Sequence, residues 1–139
     1  LTMLSAKGLL EGLPTHPSEI PKLVSWEDET GAVAGRARSW LEANCAHCHR
    51  ADGAGKTSGL HLLASETNPS RLGIGKAPIA AGKGSGGLRF DIVPGKPEAS
   101  ILVHRINSND PGVMMPELGR TIIHREGVEL VSRWIRELR

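Results

Sequence analysis

Tyrosine is absent from this chain of 139 residues, phenylalanine occurs once (Phe90) and tryptophan three times (Trp26, Trp40 and Trp134). Aromatic side chains ordinarily dominate the burial of a small core. With 17 Gly and 9 Pro alongside them, a core built from side chains alone is hard to complete. A large flat prosthetic group would supply the missing apolar surface. No apolar run is long enough to span a bilayer. The net charge of +2 implies neither wholesale nucleic-acid binding nor disorder. There is no Walker A motif and no internal repeat. "LTMLSAKGLLEGLP" lacks the basic start and uninterrupted apolar stretch of a signal peptide. Because the chain opens on Leu1, a processed product or a piece of a longer protein is expected.

What is present divides into an extension and one domain. A short helix is expected within residues 1–11, where Leu1, Leu4, Leu9 and Leu10 share one side and Gly8 weakens it. Residues 12–33 read as a linker, with Pro14, Pro17 and Pro21 followed by Glu27, Asp28 and Glu29. From Ala34 the pattern is helical, and the domain is taken as 34–139. Ala37, Leu41, Cys45 and Cys48 step by four, four and three, which puts them on one face. Residues 50–96 carry few regular signals, with "GLHLLA" (59–64) as one short turn of helix. "PGKPEASILVHRI" (94–106) reads as a helix start, with Pro97 and Glu98 suited to the first turn. Over 124–138, Val128, Val131, Trp134, Ile135 and Leu138 line one face of a closing helix.

Both cysteines lie in "NCAHCHRADG" (44–53), with His49 directly after Cys48. A dithiol redox pair wants a βαβ setting, and no β-branched runs flank the helix. A zinc site needs four ligands at usual spacing; there is no second CxxC, and His61, His104 and His124 are scattered. Covalent haem attachment needs only what is there. Two thiols add to the vinyl groups, and the adjacent imidazole reaches the iron. On this reading His49 is the proximal ligand, its Nδ1 donates to a carbonyl, and His47 is a solvent-facing spacer. A zinc-binding interaction module is the third-ranked alternative.

The second axial position has seven candidates: Met3, Met114, Met115, His16, His61, His104 and His124. Met114 and Met115 lie about 65 residues beyond His49, far enough to fold over the opposite haem face. Pro116 restricts the residue before it to extended geometry. That favours Met115 as the ligand and leaves Met114 as apolar packing. If Met115 does not bind iron, the distal site is open, and the protein is a ligand sensor or peroxidase-like.

"RSWLEANCAHCHRADG", "VPGKPEASILVHRI" and "MMPELGR" resemble the monohaem c-type cytochromes, in a bacterial branch often found as a module of larger secreted proteins. The resemblance covers most of 34–139. It implies an all-α, cytochrome c-like domain wrapped around one covalently bound haem c, with long irregular loops. It implies that the methionine before proline, Met115, is the distal ligand; the family's common Met-Pro-Pro is Met115-Pro116-Glu117 here. It implies a carrier of single electrons rather than an enzyme. Its partners would be other redox proteins or domains, among them a secreted oxidative enzyme. Haem attachment implies a periplasmic, extracellular or outer-surface location in a bacterium. The single CxxCH excludes a two-haem arrangement within this chain. A tight helix crossing, with Ala34, Gly35 and Ala37 opposite Val131 and Trp134, is also implied.

"GKGSGG" (82–87) matches G-x-G-x-x-G, but it lacks the strand before and the helix after that a dinucleotide site requires. It reads as a haem-flanking loop. Residues 68–97 hold Arg71, Lys76, Lys83, Arg89 and Lys96 against one acid, Asp91. This basic run reads as an ordinary solvated surface or as a rim that steers an acidic partner. Arg89 and Arg105 are the candidates for contact with the haem propionates.

Overall fold

A computed structural model describes residues 1–14 and 16–139. Among these described residues the architecture is helical, with four α-helices: α1 (Thr2–Ala6), α2 (Val33–Leu41), α3 (Ile101–Ile106) and α4 (Arg125–Glu137). Among the described residues the only β pairing is two isolated parallel bridges, Ile74 with Ile92 and Phe90 with Ser100.

α1 stops sooner than its leucines suggest. Gly8 is left-handed (φ 68°), and its N–H donates to the Ser5 carbonyl while Leu9 N–H donates to that of Leu4. Those two bonds make a Schellman stop, so Gly8 ends the helix rather than merely weakening it. α2 begins at Val33 and buries Ala37, Trp40 and Leu41. It continues into a π turn over Glu42–Ala46, a local widening common at functional sites. α4 buries Gly127, Leu130, Val131, Trp134 and Ile135; Val128 and Leu138 lie at the margin of that core. The expected closing helix is therefore present, with Leu130 and Gly127 added to its buried face.

α2 packs on α4, and α3 lies beside α4. The glycine at the α2–α4 crossing is Gly127. A Cβ there would sit 2.3 Å from Trp40 Cε2. Gly35 instead faces Val24, 3.8 Å from where its Cβ would be, so the expected role of Gly35 opposite Trp134 is corrected. Trp40 Nε1–H donates to His124 Nδ1 (3.1 Å), and the two rings stack. His124 also caps α4, accepting from Gly127 N–H (3.0 Å).

Two further expectations change. Residues 59–64 are not helical. Leu62 N–H donates to the His49 carbonyl and His61 N–H to that of Arg71, so these two donors bond to distant segments rather than along a helix. The helix expected over 94–106 is split into a 3₁₀ turn, Pro97–Ala99, and α3. Ser100 between them is extended, and its hydroxyl donates to the Lys96 carbonyl while accepting from Val93 N–H.

The end of the segment read as a linker lies against the helices. Val24 N–H donates to Ser39 Oγ (3.1 Å), Arg36 Nε–H donates to the Trp26 carbonyl (2.9 Å), and Trp26 meets His124 edge-on. No helix is long and apolar enough to cross a membrane among the described residues.

Candidate functional site

The CxxCH motif lies at the widened end of α2. Cys48 N–H and His49 N–H both donate to the Cys45 carbonyl (3.1 and 2.9 Å), which folds the motif into one compact turn. Gly53 and Gly55 permit the chain to return over it: a Cβ at Gly53 would lie 2.2 Å from the Cys48 carbonyl oxygen, and one at Gly55 3.1 Å from the His49 ring. Gly55 N–H in turn donates to that Cys48 carbonyl (2.9 Å).

The motif opens onto a cavity of about 680 Å³, within the range of roughly 300–1,000 Å³ that encloses a large organic ligand. Leu60, Leu62, Ile101, Leu102 and Ile106 form apolar walls, and Cys45, Cys48, His49, Arg105 and Met115 line the same space. Neither Met3, Met114, His16, His61, His104 nor His124 lines it. His61 lies beside Glu66 (3.5 Å), His104 has a buried Nε2 beside Gly86, and Met3 is exposed. The Met115–Pro116 peptide bond is cis. His47 is exposed at the rim.

The two arginines separate. Arg89 is exposed and lies over the Phe90 ring (5.7 Å), away from the cavity lining. Arg105 is inside it. Its Nε–H donates to the Val113 carbonyl (2.8 Å), and a Cβ at Gly84 would lie 3.0 Å from its guanidinium carbon. The nearest carboxylate, that of Glu117, is 3.9 Å away. Burial lowers the Arg105 pKa, opposed by Glu117 and Asp91. This is a part-buried cation at the cavity wall with no carboxylate closer than 3.9 Å.

The His49 ring has a defined tautomer. Its Nδ1 lies 3.0 Å from Ser58 Oγ. The single Ser58 hydroxyl hydrogen is donated to the Gly55 carbonyl (2.7 Å), so the oxygen can only accept from His49. Nδ1 therefore carries the proton and Nε2 keeps its lone pair. The expected acceptor was a carbonyl; a hydroxyl takes its place. Burial chiefly, with a smaller push from Arg105, holds the imidazole below its usual pKa. Burial also pushes the Cys45 thiol up to about 12, so it is no ready thiolate. Among the described residues no three His, Cys, Asp or Glu side chains cluster to hold a metal ion. That leaves a zinc module without a ligand set there.

Ser58 has no signal in the sequence, and Lys76 and Asp91 stand there only as members of the basic 68–97 run, not as partners of the His49 turn. Lys76 Nζ donates to the Ser58 carbonyl (2.7 Å) and pairs with Asp91 Oδ2 (3.1 Å), behind the turn that holds the His49 partner. No local motif announces them, because their partners are 15 and 18 positions away.

The donor set fits a haem. Two thiols, one imidazole with a free Nε2, one thioether and one under-compensated guanidinium border a single apolar cavity. No significant match is found among curated proteins or among solved structures. The family described as planctomycete cytochrome C matches residues 45–118, more than half of the chain and the part that carries both cysteines, His49 and Met115. The chain belongs to the planctomycete cytochrome C family.

Proposed function

We propose that this protein is a single-electron carrier holding one haem c. The observation that carries the reading is the shared cavity. Cys45, Cys48, His49 and Met115 all border one cavity. In it the two thiols would form the thioether links, and His49 and Met115 would be the axial ligands. Arg105 would face a propionate, where a carboxylate would supply the counter-charge that Glu117 gives only at 3.9 Å. When bound, the haem supplies the one-electron chemistry. The chain itself would supply the two thiols for attachment, the His49 and Met115 donors that would hold the iron, and apolar wall residues around the ring. A thioether donor favours a higher potential than a second imidazole. With both axial positions filled, no site remains for oxygen or peroxide, so the protein would act as a carrier rather than an enzyme.

The haem domain would comprise residues 34–139, with the 23–33 segment laid against it. Partners would be other redox proteins or domains, a secreted oxidative enzyme among them, met through small transient contacts. The location would be periplasmic, extracellular or on the outer surface.

The test is an absorption spectrum of protein made with the haem c attachment machinery, before and after reduction, for the parent and Met115→Ala. Sharp c-type bands on reduction are expected. The parent should refuse added imidazole, and the variant should bind it. A parent that binds imidazole as readily as the variant would return the site to an open-iron sensor or peroxidase. Absence of haem bands would overturn the reading altogether.

A further inference from the structure

We infer that Ser58 is a positioning residue that sets how strongly His49 donates to the iron. The inference rests on the proposal that His49 is the proximal ligand. The group behind a ligating imidazole fixes its tautomer and tunes its basicity. A carboxylate in that place draws the Nδ1 proton strongly and enriches the ring; a neutral acceptor draws it less. Here the acceptor is neutral and already shared. Ser58 Oγ donates to the Gly55 carbonyl (2.7 Å) and accepts from Leu60 N–H (3.2 Å) as well as from His49 Nδ1 (3.0 Å). One oxygen thus serves two donors while giving up its own hydrogen. The ring stays neutral and correctly oriented, with modest electron donation to the metal.

The oxygen's position is enforced from behind. Lys76 Nζ clamps the Ser58 carbonyl (2.7 Å), and its charge is held by Asp91 (3.1 Å), both side chains largely out of water. Ser58 also ends the 3₁₀ turn Lys56–Ser58, with the left-handed Gly59 (φ +67°) next to it. The hydroxyl is therefore placed by backbone geometry and an ion pair, not by a free rotor. The consequence is a potential biased upward, since reducing basicity at the axial ligand disfavours the oxidised iron.

The isosteric pair Ser58→Thr and Ser58→Val tests this on the haem-loaded protein. Thr keeps the hydroxyl; Val keeps Thr's shape without it. Two readouts are followed: solvent exchange of the His49 Nδ1 proton, seen by NMR in the reduced diamagnetic state, and the midpoint potential from an equilibrium redox titration. The Thr variant should match the parent in both. The Val variant should exchange that proton roughly 3- to 10-fold faster, the worth of one hydrogen bond, and its potential should lie above that of the Thr variant. Equal exchange and equal potential in Thr and Val, with haem attached, would overturn the role of Ser58. Failure of the parent to attach haem would instead remove the proximal-ligand reading on which the inference stands. Should Val not fold, Ser58→Ala in the same assays carries the same expectations.

Discussion

Gly127→Ala is the substitution whose effect the structure determines most directly. The new Cβ would lie 2.3 Å from Trp40 Cε2, 2.5 Å from Trp40 Cζ2 and 2.5 Å from His124 Nδ1. Trp40 cannot simply turn aside. Its ring is buried, and its Nε1–H is committed to His124. Overpacking of this kind costs about 1–3 kcal/mol. Displacing the indole or the imidazole adds roughly 1 kcal/mol for the Trp40–His124 bond and about 1 kcal/mol for the cap that His124 gives Gly127 N–H. The helix propensity of Ala over Gly returns up to about 1 kcal/mol. The net is a loss of about 2–4 kcal/mol, or a Tm lower by roughly 7–14 °C from the usual unfolding entropy of a chain this long. Thermal unfolding followed by far-UV circular dichroism measures it. α2 carries Cys45 at its widened end, so haem incorporation should fall with stability. The same change in a Trp40→Leu background should cost less, because the indole is gone and only the His124 ring, 2.5 Å from the new Cβ, still has to give way. A single Gly127→Ala variant with unchanged or higher Tm would refute the close α2–α4 crossing.

Other consequences are equally direct. Lys76→Met leaves the Asp91 carboxylate without its partner in a largely buried setting, and should destabilise by about 3 kcal/mol; a Lys76→Met, Asp91→Leu double variant should recover much of that in urea unfolding. The acid side follows from three carboxyls held below their usual values. For Asp28 the cause is chiefly the Thr30 hydroxyl, for Glu66 the Asn68 N–H, and for Asp110 the Lys83 ammonium. Groups depressed in the folded state contribute stability that is complete above their unfolded values and is lost as pH falls through their folded ones. The urea midpoint should therefore be insensitive to these groups above about pH 5 and decline below about pH 4; an Asp110→Asn variant should show a shallower decline, and an unchanged slope would count against the Lys83–Asp110 contribution.

Much of the protein was legible without a structure where the signal is local. The spacing of Cys45, Cys48 and His49 that the proposed attachment would need is met within five residues, so no folding knowledge is needed to see it. α4 announces itself by periodicity, because one stripe of its side chains must face the core. α2 does so by the steps from Ala37 to Cys45. The scarcity of aromatic residues similarly foreshadows an apolar cavity among the helices.

What the sequence leaves open are the partners that arrive from a distance. The acceptor for His49 could be any carbonyl or hydroxyl in the irregular 50–96 stretch, and only the return of the chain over Gly53 and Gly55 selects Ser58. Arg89 and Arg105 are alike in type and sign, yet one stacks on Phe90 in solvent and the other enters the cavity, since Arg105 sits on α3 at the cavity wall. Gly35 and Gly127 both suit a close crossing, and the rotation of α2 about its axis gives that place to Gly127. Residues 59–64 suggest a turn of helix, but Leu62 and His61 N–H bond to the His49 and Arg71 carbonyls instead. Local spacing and periodicity determine the attachment motif and the helices. Tertiary structure decides the hydrogen-bond partners behind the motif, because loop closure joins residues that no repeat or period relates.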